Sequence, residues 1–259
     1  MSRGPMVNRI EELLINSDPS SDIFVDNGFL VRCFSNGNVC AINRLVNNYS
    51  ANYGEIIKSH ASKLVKNNIN PSYRIIHDSS YEALDQELVR QSYSIVEEGV
   101  VMALRIENME RELFSFANFY EQGIFTDEEL GSEWLDDYRD LISMDPTHGK
   151  FFENNLKKSI QDHMYFGLFE RDRLMGMGYI TFIDNYMIIK DLFIEEKYRG
   201  LDYGKRLLKA MLIKGLLKGC TVALCEVGKK QQIAGRFLTS EGFEGLYSYH
   251  YRAKNLIGD

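Results

Sequence analysis

A short basic turn that contains two glycines is the stretch of this 259-residue sequence with the clearest potential for chemistry. It reads Arg199-Gly200-Leu201-Asp202-Tyr203-Gly204-Lys205. Glycines let a backbone turn with its N–H groups pointing inward, and a helix that begins here would add a partial positive charge. Arg199 and Lys205 add full charges. The turn therefore predicts a site for an anion such as a pyrophosphate, although an ordinary connection with solvated charges uses the same residue types.

The segments on either side of this turn would have to hold it in place. Upstream, Met187–Ile194 is a nearly continuous apolar run, which is typical of an inner strand. Downstream, leucines and methionines recur at three- and four-residue spacing from Leu207 to Leu217, which predicts an amphipathic helix. Thr221–Val227 is a further apolar strand after that helix. We therefore expect a strand, a helix and a second strand parallel to the first.

The turn resembles the acetyl-CoA-binding motif of the GNAT superfamily of N-acetyltransferases, V-x-x-x-x-Q/R-x-x-G-x-G/A. Arg199 and Gly204 match that motif, whereas Asp202 stands where the family usually has glycine. A later stretch, Gln231–Phe243, resembles the family's N-x-x-A-x-x-L-Y-x-x-x-G-F, with Gln231 in place of the asparagine. The two motifs come in the family's order, and the resemblance covers the C-terminal part of the chain.

The resemblance implies an α/β fold of the α+β type with a mixed sheet, namely a GNAT domain over residues 108–259. Residues 1–107 are predicted to be a degenerate GNAT-like α+β domain, because Gly28–Arg32 and Leu84–Tyr93 resemble the first half of longer bacterial members. No second Q/R-x-x-G-x-G/A motif occurs in that half, so we do not expect it to bind CoA in the same way. An unrelated α+β domain is the alternative. The chain length suits two domains.

By resemblance, the protein would move an acetyl group from acetyl-CoA directly to a primary amine of a small molecule, an amino acid or a peptide. Backbone N–H groups on the strand before the turn would polarise the thioester carbonyl and pair with the pantetheine amides. The residues implied in CoA binding are Leu192, Phe193, Ile194, Arg199, Gly200, Leu201, Asp202, Tyr203, Gly204, Lys205 and Gln231.

Two carboxylates are candidates for the base that removes a proton from the amine. Cys225-Glu226-Val227 resembles the L-E-V of ribosomal-protein alanine acetyltransferases, GNAT members in which the glutamate acts through water. Leu238 follows Glu226 by twelve positions (238 − 226), which is the family spacing from that glutamate to a tyrosine. Glu226 is therefore the first choice, although a strand-end carboxylate facing solvent is the plain alternative. Asp191, on the strand before the turn, is the second choice.

The family's usual proton donor is missing, because Leu238 occupies the tyrosine position. The remaining candidates for protonating the departing thiolate are Tyr203, Tyr249, His250 and solvent. Together with Asp202, this departure leaves a second interpretation open. In it, the chain is a GNAT-fold module that senses CoA or binds a partner without turnover.

The segment between the two predicted halves is harder to assign. We expect a strand at Leu113–Phe116, helix within Asp127–Met144, a loop at Pro146–Gly149 and a helix at Phe151–Gln161. Trp134 lies on the apolar stripe of the first helical region, which borders the acceptor site in GNAT proteins. It could line a substrate cleft, but core packing is the favoured interpretation.

The composition limits the other classes of function. A formal charge of −7, from 30 basic and 37 acidic residues, argues against a general nucleic-acid binder. No apolar run approaches the ~20 residues that span a bilayer, and a signal-peptide core is lacking, so we expect a cytoplasmic protein without a membrane partner. A homodimer is left open. The four cysteines and five histidines lack metal-site spacing, so neither a metal nor a disulfide is expected.

Overall fold

The computed structural model describes residues 4–18, 20, 22–34, 39–45 and 52–257. Contacts divide the chain into two compact units, each assembled from segments that are distant in the sequence. Unit 1 comprises residues 1–19, 102–225 and 237–244, and unit 2 comprises residues 20–101, 226–236 and 245–259. The domain boundary at residue 107 stays a prediction, since the units follow contacts and not a single cut in the chain.

The helices and strands are numbered in chain order. The strands are β1 (Asp22–Asp26), β2 (Phe29–Phe34), β3 (Val39–Arg44), β4 (Asn70–Ile76), β5 (Ser94–Arg105), β6 (Ile124–Asp127), β7 (Asp162–Glu170), β8 (Arg173–Ile183), β9 (Tyr186–Ile194), β10 (Val222–Gly228) and β11 (Glu244–Ala253). The helices are α1 (Gly4–Asn16), α2 (Tyr53–Val65), α3 (Glu82–Arg90), α4 (Glu110–Ser115), α5 (Ala117–Tyr120), α6 (Ser132–Leu141), α7 (Pro146–Lys158), α8 (Tyr203–Leu217) and α9 (Gln232–Ser240).

In unit 1, antiparallel strands lead into one parallel pair. Strands β6, β7, β8 and β9 pair successively in antiparallel fashion, and β9 pairs in parallel with β10 across α8. This arrangement confirms the predicted strand, helix and parallel strand, and the mixed pairing confirms the α+β class. Helix α8 is buried on nearly all sides from Leu207 to Ile213. It packs against β8 and β9 and is also contacted by α4 and α5, which explains why its apolar stripe is wide.

A cluster of aromatic side chains forms a second part of the unit 1 core. It contains Trp134, Tyr138, Tyr165 and Tyr179 together with Leu135, Leu156 and Met177, contributed by α6, α7, β7 and β8. Trp134 is 5% exposed, and its indole N–H donates to the backbone oxygen of Phe166 at 3.0 Å. The favoured interpretation of Trp134 as a core residue is therefore confirmed.

Two predicted elements of unit 1 are wrong. Helix α7 begins at Pro146, where a loop was expected, because the Asp145 carboxylate caps it and accepts hydrogen bonds from the N–H groups of Thr147 (2.9 Å) and His148 (3.1 Å). Proline suits the first helical position since its missing N–H would have no helical partner. The strand expected at Leu113–Phe116 is replaced by helix α4, whose first turn carries two favourable glutamates.

Unit 2 covers one face of its strands with helices. Strands β1, β2 and β3 are antiparallel, β3 pairs in parallel with β4, and β11 pairs antiparallel with β4. An apolar cluster that includes Phe29, Ile42 and Tyr73 lies between these strands and helices α2 and α3. The hairpin turn predicted at Ser35–Asn38 lies outside the described residues.

The expectation that no cysteine forms a disulfide is wrong for one pair. The register of β2 and β3 places Cys33 directly opposite Cys40, with 4.2 Å between the Cα atoms, and the two sulfurs are bonded. Their sequence separation of 7 gives no motif, and only the hairpin register brings them together. Cys220 and Cys225 are free and buried.

Candidate active site

Strand β9 contains a β-bulge at the residues that precede the basic turn. In its ladder with β8, Asp191 and Leu192 stand opposite Gly178 alone. Asp191 has a φ of 51°, in the left-handed region that aspartate tolerates better than most side chains. A methyl group at Gly178 would lie 3.2 Å from Leu192 Cα and 3.3 Å from the Asp191 oxygen. Glycine on β8 therefore allows the close approach of the bulge.

Past the bulge, β9 presents a backbone N–H group at the edge that faces away from β8. The Glu195 N–H donates to the Met175 oxygen of β8 at 3.0 Å. Successive residues of a regular strand direct their backbone groups to opposite edges, so the Ile194 N–H points away from β8. Among the described residues, the β9–β10 ladder ends at the pair Ile188–Leu224. An edge of this kind can accept an extended ligand as an added strand.

The basic turn connects this edge to α8. The Arg199 Nε donates to the Ile194 oxygen at 3.0 Å, which closes the turn, while the residue remains exposed. An added Cβ at Gly200, whose φ is 79°, would meet nothing within 4 Å. Asp202 directly precedes α8 with φ 60° and ψ 0°, and its side chain makes no cap hydrogen bond. This left-handed conformation explains in physical terms why a glycine is usual there and why an aspartate is tolerated.

The first turn of α8 supplies donors and positive charge. The N–H groups of Tyr203, Gly204 and Lys205 begin the helix and therefore have no partner within it. The Lys205 side chain is 45% exposed, with its ammonium 3.9 Å from Glu241. The Tyr203 hydroxyl donates to Glu170, so this phenol is already engaged and is a weak candidate for the general acid. Leu201 is exposed.

Asp191 is set apart by its electrostatic surroundings. Burial raises the pKa of its carboxyl, and the nearby Asp18 adds to the rise, whereas the Tyr138 hydrogen bond and the Lys190 ammonium lower the pKa without cancelling the rise. The residue nevertheless keeps accessible surface. By its accessible surface Asp191 is exposed, so protein atoms lie close enough to raise the pKa of the carboxyl while water still reaches it.

Tyr138 holds the Asp191 carboxylate and was not among the predicted site residues. Its phenol donates a hydrogen bond to Asp191, and burial together with that carboxylate raises the pKa of Tyr138, so it stays protonated. Tyr138 stacks on Trp134 at 4.9 Å between centroids and on Phe152 at 5.1 Å, which fixes the ring. The available sequence signal was its place on the same helical stripe as Trp134.

Glu226 belongs to unit 2, where it is part of an ion pair. Its Oε1 lies 2.8 Å from a guanidinium nitrogen of Arg74, whose side chain is only 5% exposed. That guanidinium also stacks 3.8 Å from the Tyr249 ring centroid and donates to the Tyr251 hydroxyl at 3.2 Å. To accept a proton, Glu226 would have to leave a buried cation without its counter-ion. The arrangement accounts for Glu226 as the partner of Arg74, and its catalytic role stays a prediction.

The remaining predicted residues also fall in different places. Gln231, in unit 2, accepts a hydrogen bond from the Gly228 N–H at 3.1 Å and closes the loop before α9. Leu238 is buried in unit 1 at 7% exposure. His250, in unit 2, is hydrogen-bonded to His77 and to Asp85, each at 2.9 Å. Unit 1 therefore brings together the bulge, the turn, the start of α8 and Asp191, whereas Glu226 and Gln231 lie in unit 2.

The parallel pair of unit 2 is arranged differently from that of unit 1. Strands β3 and β4 stay paired from Val39–Asn70 to Asn43–Arg74, which is nearly the whole length of β3. A fully paired ladder offers no free edge for an added ligand. Over the described ranges, no group of three potential metal ligands occurs, and no helix is long and apolar enough to cross a membrane.

Comparisons with known proteins agree with this geometry. Residues 126–243 match the sequence model described as the acetyltransferase (GNAT) family. The uncharacterized N-acetyltransferase YobR of Bacillus subtilis (strain 168) is 22% identical over 182 residues, which cover 69% of this chain and 71% of that protein.

Solved structures show the same fold at low identity. A GCN5-related N-acetyltransferase from Kribbella flavida aligns with a TM-score of 0.67 at 11% identity, covering 98% of this chain and 96% of that one. A functionally unknown conserved protein from Staphylococcus epidermidis ATCC 12228 gives a TM-score of 0.66 at 11% identity, covering 96% and 99%. A tandem GNAT protein from the clavulanic acid biosynthesis pathway gives 0.64 at 10% identity, covering 87% and 78%.

The family match contains Tyr138, the bulged strand β9, the basic turn and helix α8, which are the parts that unit 1 brings together. Residues 126–243 therefore match the acetyltransferase (GNAT) family model, and the chain is similar to N-acetyltransferases of that type.

Proposed function

We propose that the protein is an acetyl-CoA-dependent N-acetyltransferase that moves the acetyl group directly to a primary amine. The acceptor class comprises small molecules, amino acids and peptide N-termini. One observation carries the proposal. The stretch from Asp191 to Lys205 combines the helix start of α8, the strand β9 past its last described pair with β10, and a carboxyl of raised pKa at the bulge, which supports an anionic, extended donor.

The residues of this stretch suit acetyl-CoA as the donor. The N–H groups of Tyr203, Gly204 and Lys205 and the open space at Gly200 suit the pyrophosphate. The β9 edge would pair with the pantetheine amides as an added strand. The Ile194 N–H would then stabilise the negative charge that develops on the thioester oxygen.

Asp191 is the proposed base. Its carboxylate accepts a proton from the ammonium group of the acceptor, and the resulting amine nitrogen attacks the thioester carbonyl carbon. The carbon–sulfur bond then breaks, the nitrogen loses its second proton to solvent as the amide forms, and the thiolate leaves and takes a proton from solvent. A raised pKa brings the acidity of the Asp191 carboxyl closer to that of the acceptor's ammonium group. The carboxylate therefore accepts the ammonium proton more readily near neutral pH. Glu226 is the alternative base, and it would act only after separating from Arg74.

Asp202→Gly tests the donor site, because Asp202 is exposed and directly precedes α8, where the pyrophosphate is proposed to bind. Removing one adverse charge near a helix N-terminus should tighten acetyl-CoA binding about two- to five-fold, from ~0.3–1 kcal/mol. Titration calorimetry measures the affinity, and free-thiol release with a panel of amines measures turnover by the parent protein.

The matched control is Asp172→Gly. Asp172 is also exposed and also has a positive φ, of 61°, but it lies in the turn between β7 and β8. It should leave the affinity unchanged. Absence of acetyl-CoA binding by the parent would overturn the proposal. Binding without thiol release for any amine would favour a CoA-sensing module over an enzyme.

A further inference from the structure

A chain of side-chain hydrogen bonds links α3, β11 and the end of β4 within unit 2. The Asp85 carboxylate of α3 lies 2.9 Å from Nε2 of the buried His250, whose Nδ1 lies 2.9 Å from Nε2 of His77. Arg252 of β11 donates to the second oxygen of Asp85 at 3.1 Å. His77 directly follows β4 and is exposed, so protons from solvent reach the outer end of the chain. Asp85, His250 and His77 are called the histidine relay below.

The charge on Asp85 decides which nitrogen of each ring carries a hydrogen. Burial acts to raise the pKa of the Asp85 carboxyl, but the hydrogen bonds from Arg252 and His250 outweigh it and lower the pKa. The group is therefore a carboxylate, which only accepts, so His250 donates from Nε2. A neutral ring then has a bare Nδ1, which accepts a hydrogen bond from the Nε2–H of His77. The two ring centroids lie 5.1 Å apart, as expected for imidazoles joined end to end by such a bond.

Acid removes the hydrogen bond between the two rings. A first proton is tolerated, because His77 takes it on Nδ1 and still donates from Nε2. A second proton, on Nδ1 of His250, leaves an N–H on both of the facing nitrogens, so that neither accepts. Two positive charges then face each other as well.

The charges around His77 set the direction in which its titration acts on stability. Loss of contact with water lowers the pKa of the His77 ring, and a positive charge on His250 lowers it further. Glu98 of β5 and Asp85 act in the opposite direction, and Lys229, which follows β10, lowers the pKa again. Lys229 is held by Glu98, whose two carboxylate oxygens each lie 2.9 Å from the ammonium nitrogen. The pKa of His77 in the folded state therefore lies below the ordinary value of 6.5, so its contribution to stability is present above that pH and is lost as the pH falls through the folded pKa.

The relay lies at one end of the ladder between β4 and β11. The backbone N–H of His77 donates to the Ser248 oxygen at 2.9 Å, next to the pair formed by Ile76 and Tyr249. We propose that the histidine relay is a pH-sensitive latch, which holds this end of the ladder closed near neutral pH and releases it in mild acid. The inference is independent of the proposed function, because none of the relay residues belongs to the proposed donor site or to the proposed base.

Amide hydrogen exchange followed by NMR tests the latch in the parent and in His77→Gln. A glutamine amide presents either an N–H or a carbonyl oxygen to His250, so its hydrogen bond survives in both protonation states. From about pH 7.5 to about pH 5, the protection factor of the residue 77 amide should fall about five-fold or more in the parent, as expected for the loss of one hydrogen bond of ~1 kcal/mol. It should stay constant in His77→Gln. His148→Gln is the matched control, because His148 is also exposed and also paired with an aspartate, but in α7 of unit 1, and it should behave like the parent.

The ring nitrogens give a second readout. Their ¹⁵N shifts at about pH 7.5 should show His250 protonated at Nε2 and bare at Nδ1. This tautomer, with an acid-induced loss of protection in the parent and in His148→Gln alone, supports the latch. An equal loss in His77→Gln, no loss in the parent, or a His250 ring protonated at Nδ1 at this pH would overturn it.

Discussion

At the scale of single residues, Asp191 combines two properties that a proton acceptor needs. It is reachable from solvent, and burial raises the pKa of its carboxyl. Tyr138 fixes its position through a phenol that stays protonated. Glu226 forms an ion pair with Arg74, whose side chain is buried. Sequence motifs do not reveal this pair because the two residues are far apart in the chain. The motif therefore ranked Glu226 first, whereas local electrostatics favour Asp191.

The stability of Asp191→Asn should depend on pH less than that of the parent. A carboxyl with a raised pKa in the folded state contributes stability below its ordinary value of 3.8, and this contribution is lost as pH rises through the raised pKa. Asparagine does not titrate and also tolerates the left-handed backbone. The variant should therefore gain stability relative to the parent between about pH 4 and pH 8.

Urea unfolding of the parent and of Asp191→Asn at about pH 4 and about pH 8 measures this difference in stability. Asp172→Asn, at an exposed aspartate with a φ of 61°, is the control and should show no such trend. A parent-to-variant difference that stays constant with pH would mean that Asp191 titrates normally.

At the scale of elements, the bulge in β9 is where the sheet carries Asp191, the proposed base. Strand β9, the turn, helix α8 and strand β10 could be predicted because an apolar run, glycines and helical periodicity mark them directly. The bulge could not, since its cause is the close approach that Gly178 of β8 permits. The residues Pro146–Gly149 alone predict a loop, whereas the Asp145 cap directly before Pro146 makes them the start of α7.

Gly178→Ala should damage both stability and transfer. The added methyl would lie 3.2–3.3 Å from the backbone of Asp191 and Leu192 and 2.8 Å from Met211 Cε, so the bulge and the methionine would have to move. Overpacking of this kind costs about 1–3 kcal/mol. Urea unfolding gives the stability, and free-thiol release gives the rate.

Gly131→Ala is the control for this substitution, because an added methyl there meets nothing within 4 Å. It should leave the transfer rate unchanged, and because Gly131 is the N-cap residue of α6, it should cost less stability than Gly178→Ala. If Gly178→Ala behaved like this control, the bulge would not depend on the close approach of β8.

At the scale of the whole molecule, the two candidate bases belong to different compact units. Asp191 lies in unit 1, and Glu226 lies in the segment 226–236 that joins unit 2. A linear division at residue 107 assigns both to one predicted domain, because the sequence does not show that C-terminal segments pack with the N-terminal half. Identifying the base would therefore also identify the unit that performs the chemistry.

The most direct test of this account is the pH profile of kcat/KM for the parent, Asp191→Asn and Glu226→Gln, over ~pH 6–9 with acetyl-CoA binding measured in parallel. The account predicts that Asp191→Asn loses about 100-fold or more in kcat/KM while acetyl-CoA binds unchanged. Glu226→Gln should keep the shape of the parent profile, although it loses stability because Arg74 loses its counter-ion. An Asp191→Asn variant as fast as the parent across this range, beside an inactive but folded Glu226→Gln variant, would contradict the account.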